Sequence, residues 1–207
     1  MNETDADATT DADANANATE APASRSGTLC TGVVTIATDR SLDTDAAGEA
    51  ITAAFEETDG EITVREHVGP DHDKVQSIVS RLVDRADVDV VITAGATGVE
   101  PDDITIEAVE PLLGKELTAF SELFTHLGYE AVGTRVVGAR TLAGVADGTT
   151  VFCLPGDADA AELALEEIIL PEAPELVERA RDVEPEPADE TDEDGDRADA
   201  DAANGGE

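Results

Sequence analysis

Between residues 28 and 182 the chain alternates two hydrophobic periods, and the alternation predicts its elements. The runs "GVVTIAT" (32–38) and "DVVIT" (89–93), with "EITVREH" (61–67) between them, are β-branched and read as strands. The same reading makes strands of "TRVVGA" (134–139) and "TTVFCL" (149–154). Ala47, Ile51, Ala54 and Phe55 instead fall at i, i+4, i+7 and i+8, one face of a helix with Asp43 to Asp45 near its start. Val75, Ile78, Val79 and Leu82 predict a second helix after the loop "GPDHD" (69–73). Residues 104–128 predict helix in two pieces, broken near Gly114 or Thr118. Ala161, Leu165, Ile168 and Ile169 predict a last helix after "PGD".

Strands alternating with helices imply an α/β fold, three layers α/β/α around a mostly parallel sheet. In such folds ligands bind beyond the carboxyl ends of the strands. That rule selects the loops 38–45, 68–73, 94–103 and 155–159, each of which contains aspartate.

Composition changes the picture at the flanks. The 207 residues carry 49 acidic and 12 basic side chains, a net charge of -37. Residues 1–27 and 183–207 are Ala-, Asp- and Glu-rich and nearly free of large apolar side chains. Such segments cannot offset their ordering entropy, so both are expected to be disordered acidic tails around one domain, 28–182. An acidic surface with only two lysines, Lys74 and Lys115, suits a salt-filled cytoplasm and reads as halophilic. It excludes nucleic acid as a partner, because no basic patch exists to release counterions. No apolar run approaches the ~20 residues of a membrane helix. The acidic N-terminus lacks the apolar core of a signal peptide, so a cytoplasmic location is expected. Cys30 and Cys153 lie in apolar segments and are expected to be buried, reduced thiols.

The chemistry concentrates in "TAGATGVEPDDITIEA" (93–108). Gly95-Ala96-Thr97-Gly98 is neither a GxGxxG fingerprint nor a P-loop. It is either a tight turn needing positive φ or a cradle whose N–H groups and Thr97 hydroxyl meet a phosphate. One of Asp102 and Asp103 could cap a helix beginning near Ile104, which leaves the other free. Asp71 lies in what should be the neighbouring loop. Two carboxylates from adjacent loops could share Mg²⁺, often through water. A polyphosphate in so acidic a domain needs such a metal to offset repulsion. His67, Asp71, His72 and Asp73 match no standard transition-metal spacing. Among the scarce cations, Arg40 follows the first strand and Arg140 the predicted strand at 134–139, where a phosphate would sit. Lys74, Lys115 and Arg135 are less well placed. No nucleophile elbow or catalytic-cysteine setting is present. The residues point to a metal-assisted nucleotide or phosphate enzyme.

Together the motifs resemble the MoaB/MogA family of molybdopterin adenylyltransferases. "TAGATG" (93–98) is similar to the family's Thr-Gly-Gly-Thr-Gly loop, and Asp103, Thr105, Glu107 and Ala108 match its Asp-x-Thr-x-Glu/Asp-Ala segment. Pro70-Asp71 heads a helix, "TDR" (38–40) stands for Ser-Asp-Arg, and Asp45 to Gly48 resembles an Asp shortly before Ser-Gly. "AFSE" (119–122) answers a Gly-Phe-Gly-Glu turn, Ala139-Arg140 a Ser-Arg, Ala143-Gly144 an Ala-Gly, and 154–156 a Leu-Pro-Gly.

The resemblance implies a MogA-like molybdopterin-binding fold and an adenylyl transfer from ATP to the terminal phosphate of molybdopterin, with release of pyrophosphate. It implies Asp71 and Asp103 as catalytic and Mg²⁺-binding residues. It also implies Arg40, Gly95, Thr97, Gly98, Thr105, Glu122, Arg140, Pro155, Gly156 and Asp157 around the substrates. A homotrimer or homohexamer is implied too, with a molybdenum insertase as a further partner. The chain departs from the family at Ala96, Asp102, Ala119, Ser121, Thr125, Ala139 and Asp157, where glycines, hydroxyls or basic groups are usual. A non-catalytic carrier of molybdopterin or nucleotide is therefore the alternative. The insertases and the competence-damage-inducible proteins share the fold, but insertases carry further domains.

Overall fold

The computed structural model describes residues 28–38 and 45–181. The flanks 1–27 and 183–207, and Arg40, lie outside the described residues. The described chain runs β1 (Cys30–Ile36), α1 (Ala46–Glu56), β2 (Glu61–Val68), α2 (His72–Val83), β3 (Val90–Ala94) and α3 (Thr105–Val109). It continues with β4 (Lys115–Glu116), α4 (Thr118–Val132), β5 (Leu142–Ala146), β6 (Thr149–Leu154), α5 (Ala158–Ala164) and α6 (Leu170–Ala180). One six-stranded sheet has the order β2-β1-β3-β6-β5-β4. β2, β1, β3 and β6 are mutually parallel, while β5 is antiparallel to both its neighbours.

Strand alternation divides the core into two. Val33, Val90, Ile92, Phe152 and Leu154 face one way and pack with Ile51 and Phe55 of α1, Phe120 and Phe124 of α4, Ala161 of α5 and Val177 of α6. Val34, Val91, Val151 and Cys153 face the other way, against Val75, Val79 and Leu82 of α2 and Ala108 and Val109 of α3. This is the expected three-layer arrangement, and it explains why β3 and β6 read as unbroken apolar runs: both of their faces are covered. Phe120 meets Phe152 edge-on at 5.2 Å, which ties α4 to the sheet. Cys153 is wholly buried, and burial pushes its thiol up to about 12; Cys30 is free but partly exposed.

α1 begins at a buried charge. The Asp45 carboxylate accepts from the Gly48 N–H at 2.9 Å, from the Thr35 hydroxyl, and from Arg65 at 3.2 Å. Burial raises its pKa, but those three donors outweigh burial and hold it below the usual carboxylate range. Between α5 and α6 a π-helical turn, Leu165–Ile169, widens the register just ahead of Pro171 and Pro174, neither of which can donate a helical bond.

Residues 134–139 are not a strand. All but Ala139 belong to a 3₁₀ segment, Gly133–Gly138, entered at Gly133 with φ +64°. Val136 packs so closely on Gly128 of α4 that a Cβ there would approach it to 2.8 Å. The place beside β6 is taken instead by β5, joined to it through Asp147-Gly148 with φ +45° and +84°. Two positive φ values in a two-residue loop are the mark of a type I′ hairpin turn, and Asp-Gly is one of its preferred sequences. The break expected near Gly114 is real, and two-residue β4 fills it against β5.

Candidate functional site

The carboxyl ends of β3 and β6 open into a cleft of about 440 Å³. The loop after β3 contributes Ala96, Thr97, Gly98 and Asp103; the loop after β6 contributes Pro155, Gly156 and Asp157; the 3₁₀ segment and its exit supply Arg135, Gly138 and Ala139. Two glycines hold the floor together. Gly95 has φ +105° and no room for a Cβ, which would fall 2.3 Å from the Ile36 carbonyl oxygen. A Cβ on Gly156 would stand 3.0 Å from Gly95 Cα. Ala96 takes φ +50°, a left-handed conformation that strains an alanine by about 1 kcal/mol.

The turn reading of Gly95 to Gly98 is met, with Gly95 and Ala96 both at positive φ. The Gly95 N–H is spent on the Leu154 carbonyl at 3.0 Å, and the Gly95 and Ala96 carbonyls accept from the Thr105 hydroxyl (2.8 Å) and N–H (2.9 Å). Buried Thr105 thus shapes the loop from behind. The N–H groups of Ala96, Thr97 and Gly98 make no hydrogen bond within the described residues.

Asp103 does not cap α3, which starts after Ile104 with no side-chain cap at all. Its Oδ2 reaches back to the Glu100 N–H at 2.7 Å, and its Oδ1 bonds to no described residue. Asp157 caps α5, accepting from the Ala160 N–H at 3.2 Å. Asp71 caps α2 in the same way and pairs with Lys74 at 3.3 Å. The Lys74 N–H and ammonium hold the Asp71 carboxyl below its usual range. Asp71 is not part of the cleft lining, but its neighbour His72 meets the Glu107 carbonyl at 3.3 Å, on the helix that follows Asp103.

Arg140 precedes β5 rather than ending a strand, and its guanidinium is committed. It donates to the Thr97 carbonyl from Nε at 3.0 Å and forms a forked pair with Glu107 at 2.7 and 3.0 Å. That pair lowers the Glu107 pKa and raises that of Arg140. Arg140 is thus a strut under the loop. Among the described residues, the cation lining the cleft is Arg135, which by sequence is less well placed than Arg40 and Arg140. Glu122 is exposed on α4 and outside the lining.

Among the described residues no three His, Cys, Asp or Glu side chains gather as a ready metal cage. The carboxylates lining the cleft, Asp103 and Asp157, are oxygen donors of the kind Mg²⁺ takes one or two of alongside water and substrate phosphates. Among the described residues no helix is long and apolar enough to cross a membrane.

Comparison with known proteins agrees with this fold. Residues 28–175 match the family described as "Probable molybdopterin binding domain". A molybdenum cofactor biosynthesis protein B from Staphylococcus epidermidis is 39% identical over 150 residues, covering 70% of this chain and 85% of that protein. The crystal structure of a molybdenum cofactor biosynthesis protein B superposes with a TM-score of 0.73 at 34% identity, over 74% of this chain and 96% of the other. The tungsten cofactor synthesizing protein MoaB from Pyrococcus furiosus gives 0.68 at 33% identity, over 76% and 100%. The chain therefore belongs to the MoaB/MogA-like molybdopterin-binding family of molybdenum cofactor biosynthesis proteins.

Proposed function

We propose that the protein transfers the adenylyl group of ATP to the terminal phosphate of molybdopterin. The observation that carries this reading is the cleft itself, where unspent N–H groups, one free guanidinium and Asp103 converge on a volume suited to a phosphate-bearing ligand. Attack by one anion on another is mostly a matter of positioning and charge neutralisation. The N–H groups of Ala96 to Gly98 would orient a phosphate, and the Arg140 strut holds that loop rigid through the Thr97 carbonyl. Asp103, with one carboxylate oxygen anchored and the other unengaged, would hold Mg²⁺ together with Asp71 or Asp157. Mg²⁺, when bound, supplies charge neutralisation at the reacting phosphate and the departing pyrophosphate.

The Gly-to-Ala and Ser-to-Ala departures at Ala96 and Ala139 fall on the cleft wall and favour the second reading, a carrier that binds without turnover. Pyrophosphate release from ATP and Mg²⁺ in molar KCl, measured with and without molybdopterin, separates the two. Release that needs molybdopterin supports the transferase; binding without release leaves the carrier. Leu123, Tyr129, Val132 and Val137 are exposed apolar side chains on α4 and the 3₁₀ segment, which supports assembly into a homotrimer or homohexamer. Light scattering that finds a monomer at micromolar concentration would remove that part. An insertase partner and a cytoplasmic location complete the proposal; a pull-down and cell fractionation test them in turn.

A further inference from the structure

Resting on the phosphate-binding reading of the cleft, we propose that Arg135 is the residue that receives the ligand's anionic group. Among the described residues lining the cleft it is the single cation. Its side chain is exposed and makes no hydrogen bond or ion pair with a described residue. The neighbouring cations are committed elsewhere: Arg140 to Glu107 and the Thr97 carbonyl, Lys74 to Asp71.

The cleft needs such a charge. Asp103 and Asp157 both face it, in a chain of net charge -37, so an entering anion meets two carboxylates that the loop N–H groups offset only in part. A guanidinium answers a phosphate with a planar fork of N–H donors, which an ammonium cannot copy.

The backbone presents Arg135 for this purpose. Its neighbour Val136 is buried against Gly128, which fixes the segment, and the Ala139 N–H closes it on the Val136 carbonyl at 2.9 Å. Gly138 and Ala139, on the same wall, leave little side chain in the way. A phosphate oxygen can then meet the Arg135 fork on one wall and the N–H groups of Ala96 to Gly98 on another. The ligand class this selects is a phosphate monoester or polyphosphate.

Isothermal titration of the full chain with inorganic pyrophosphate and Mg²⁺ in molar KCl tests this. Arg135→Ala should weaken binding by about tenfold or more, and Arg135→Lys should recover part of the loss. Because the Arg135 side chain makes no bond within the described residues, Arg135→Ala should melt with the wild-type protein. Arg135→Ala that binds as tightly as wild type overturns the assignment while leaving the cleft a phosphate site. A wild-type protein that binds no pyrophosphate overturns the cleft reading and this proposal together. Lost binding in Arg135→Ala accompanied by a lower melting temperature and no rescue by lysine would make Arg135 structural, and the proposal would fall.

Discussion

Gly98→Ala perturbs the cleft through one added atom. A Cβ at residue 98 would stand 2.6 Å from Asp103 Oδ2 and 3.3 Å from its Cγ, inside the 3.4 Å where ordinary contact begins. The carboxylate must swing away, and Oδ2 is the atom that accepts the Glu100 N–H at 2.7 Å. Loss of that exposed bond costs about 1 kcal/mol. In a domain of this size that lowers the melting temperature by roughly 2–4 °C. The effect on chemistry should be far larger, because displacing a reacting group by about 1 Å costs on the order of 10²-fold in rate. The two readouts therefore separate. Thermal melting should barely move, while molybdopterin-dependent pyrophosphate release should fall about a hundredfold. A Gly98→Ala protein with wild-type turnover would refute the placement of Asp103 at the reacting centre.

Other perturbations reach different parts of the molecule. Asp45→Ala should cost about 3 kcal/mol in denaturant unfolding, since it removes the carboxylate that the Arg65 guanidinium and Thr35 hydroxyl donate to and the α1 cap with it; a loss under about 1 kcal/mol would show that the buried carboxylate contributes little. Glu107 has a depressed folded pKa, so its pair with Arg140 contributes stability above the unfolded value, near 4.5, and loses it as pH falls through the folded one. The pair is half exposed, so wild type and Glu107→Gln should differ by less than about 1 kcal/mol at neutral pH and converge in acid. A gap that persists at low pH in thermal melts would contradict the ion-pair account. If the net charge of -37 is an adaptation to salt, far-ultraviolet circular dichroism should show structure lost as KCl is withdrawn, and a stable fold in dilute buffer would count against it.

Much of the fold is legible in the sequence where burial is two-sided. β1, β3 and β6 sit in the sheet centre, so apolarity and β-branching agree with tertiary position at nearly every residue. Local and tertiary demands part at 134–139. Thr-Arg-Val-Val has strand propensity, but Gly133 turns the chain and Val136 docks on α4, while the sheet position goes to Leu142–Ala146. The Asp147-Gly148 turn was the available signal for that hairpin. In the site, the loops and Asp103 follow from the α/β rule. Which arginine is free does not, because it depends on Glu107 reaching Arg140 from α3, 33 residues away in sequence.

The central claim is that Asp103 supports adenylyl transfer in this cleft, and Asp103→Asn tests it most directly. Asparagine can keep the bond to the Glu100 N–H, so folding should survive while the charge is lost. The measurement is pyrophosphate release from ATP, Mg²⁺ and molybdopterin in molar KCl, wild type against Asp103→Asn, with melting curves for both. The account predicts matching melts and a fall in release of about 10²-fold or more. Release that stays near the wild-type rate in a folded Asp103→Asn protein would contradict it.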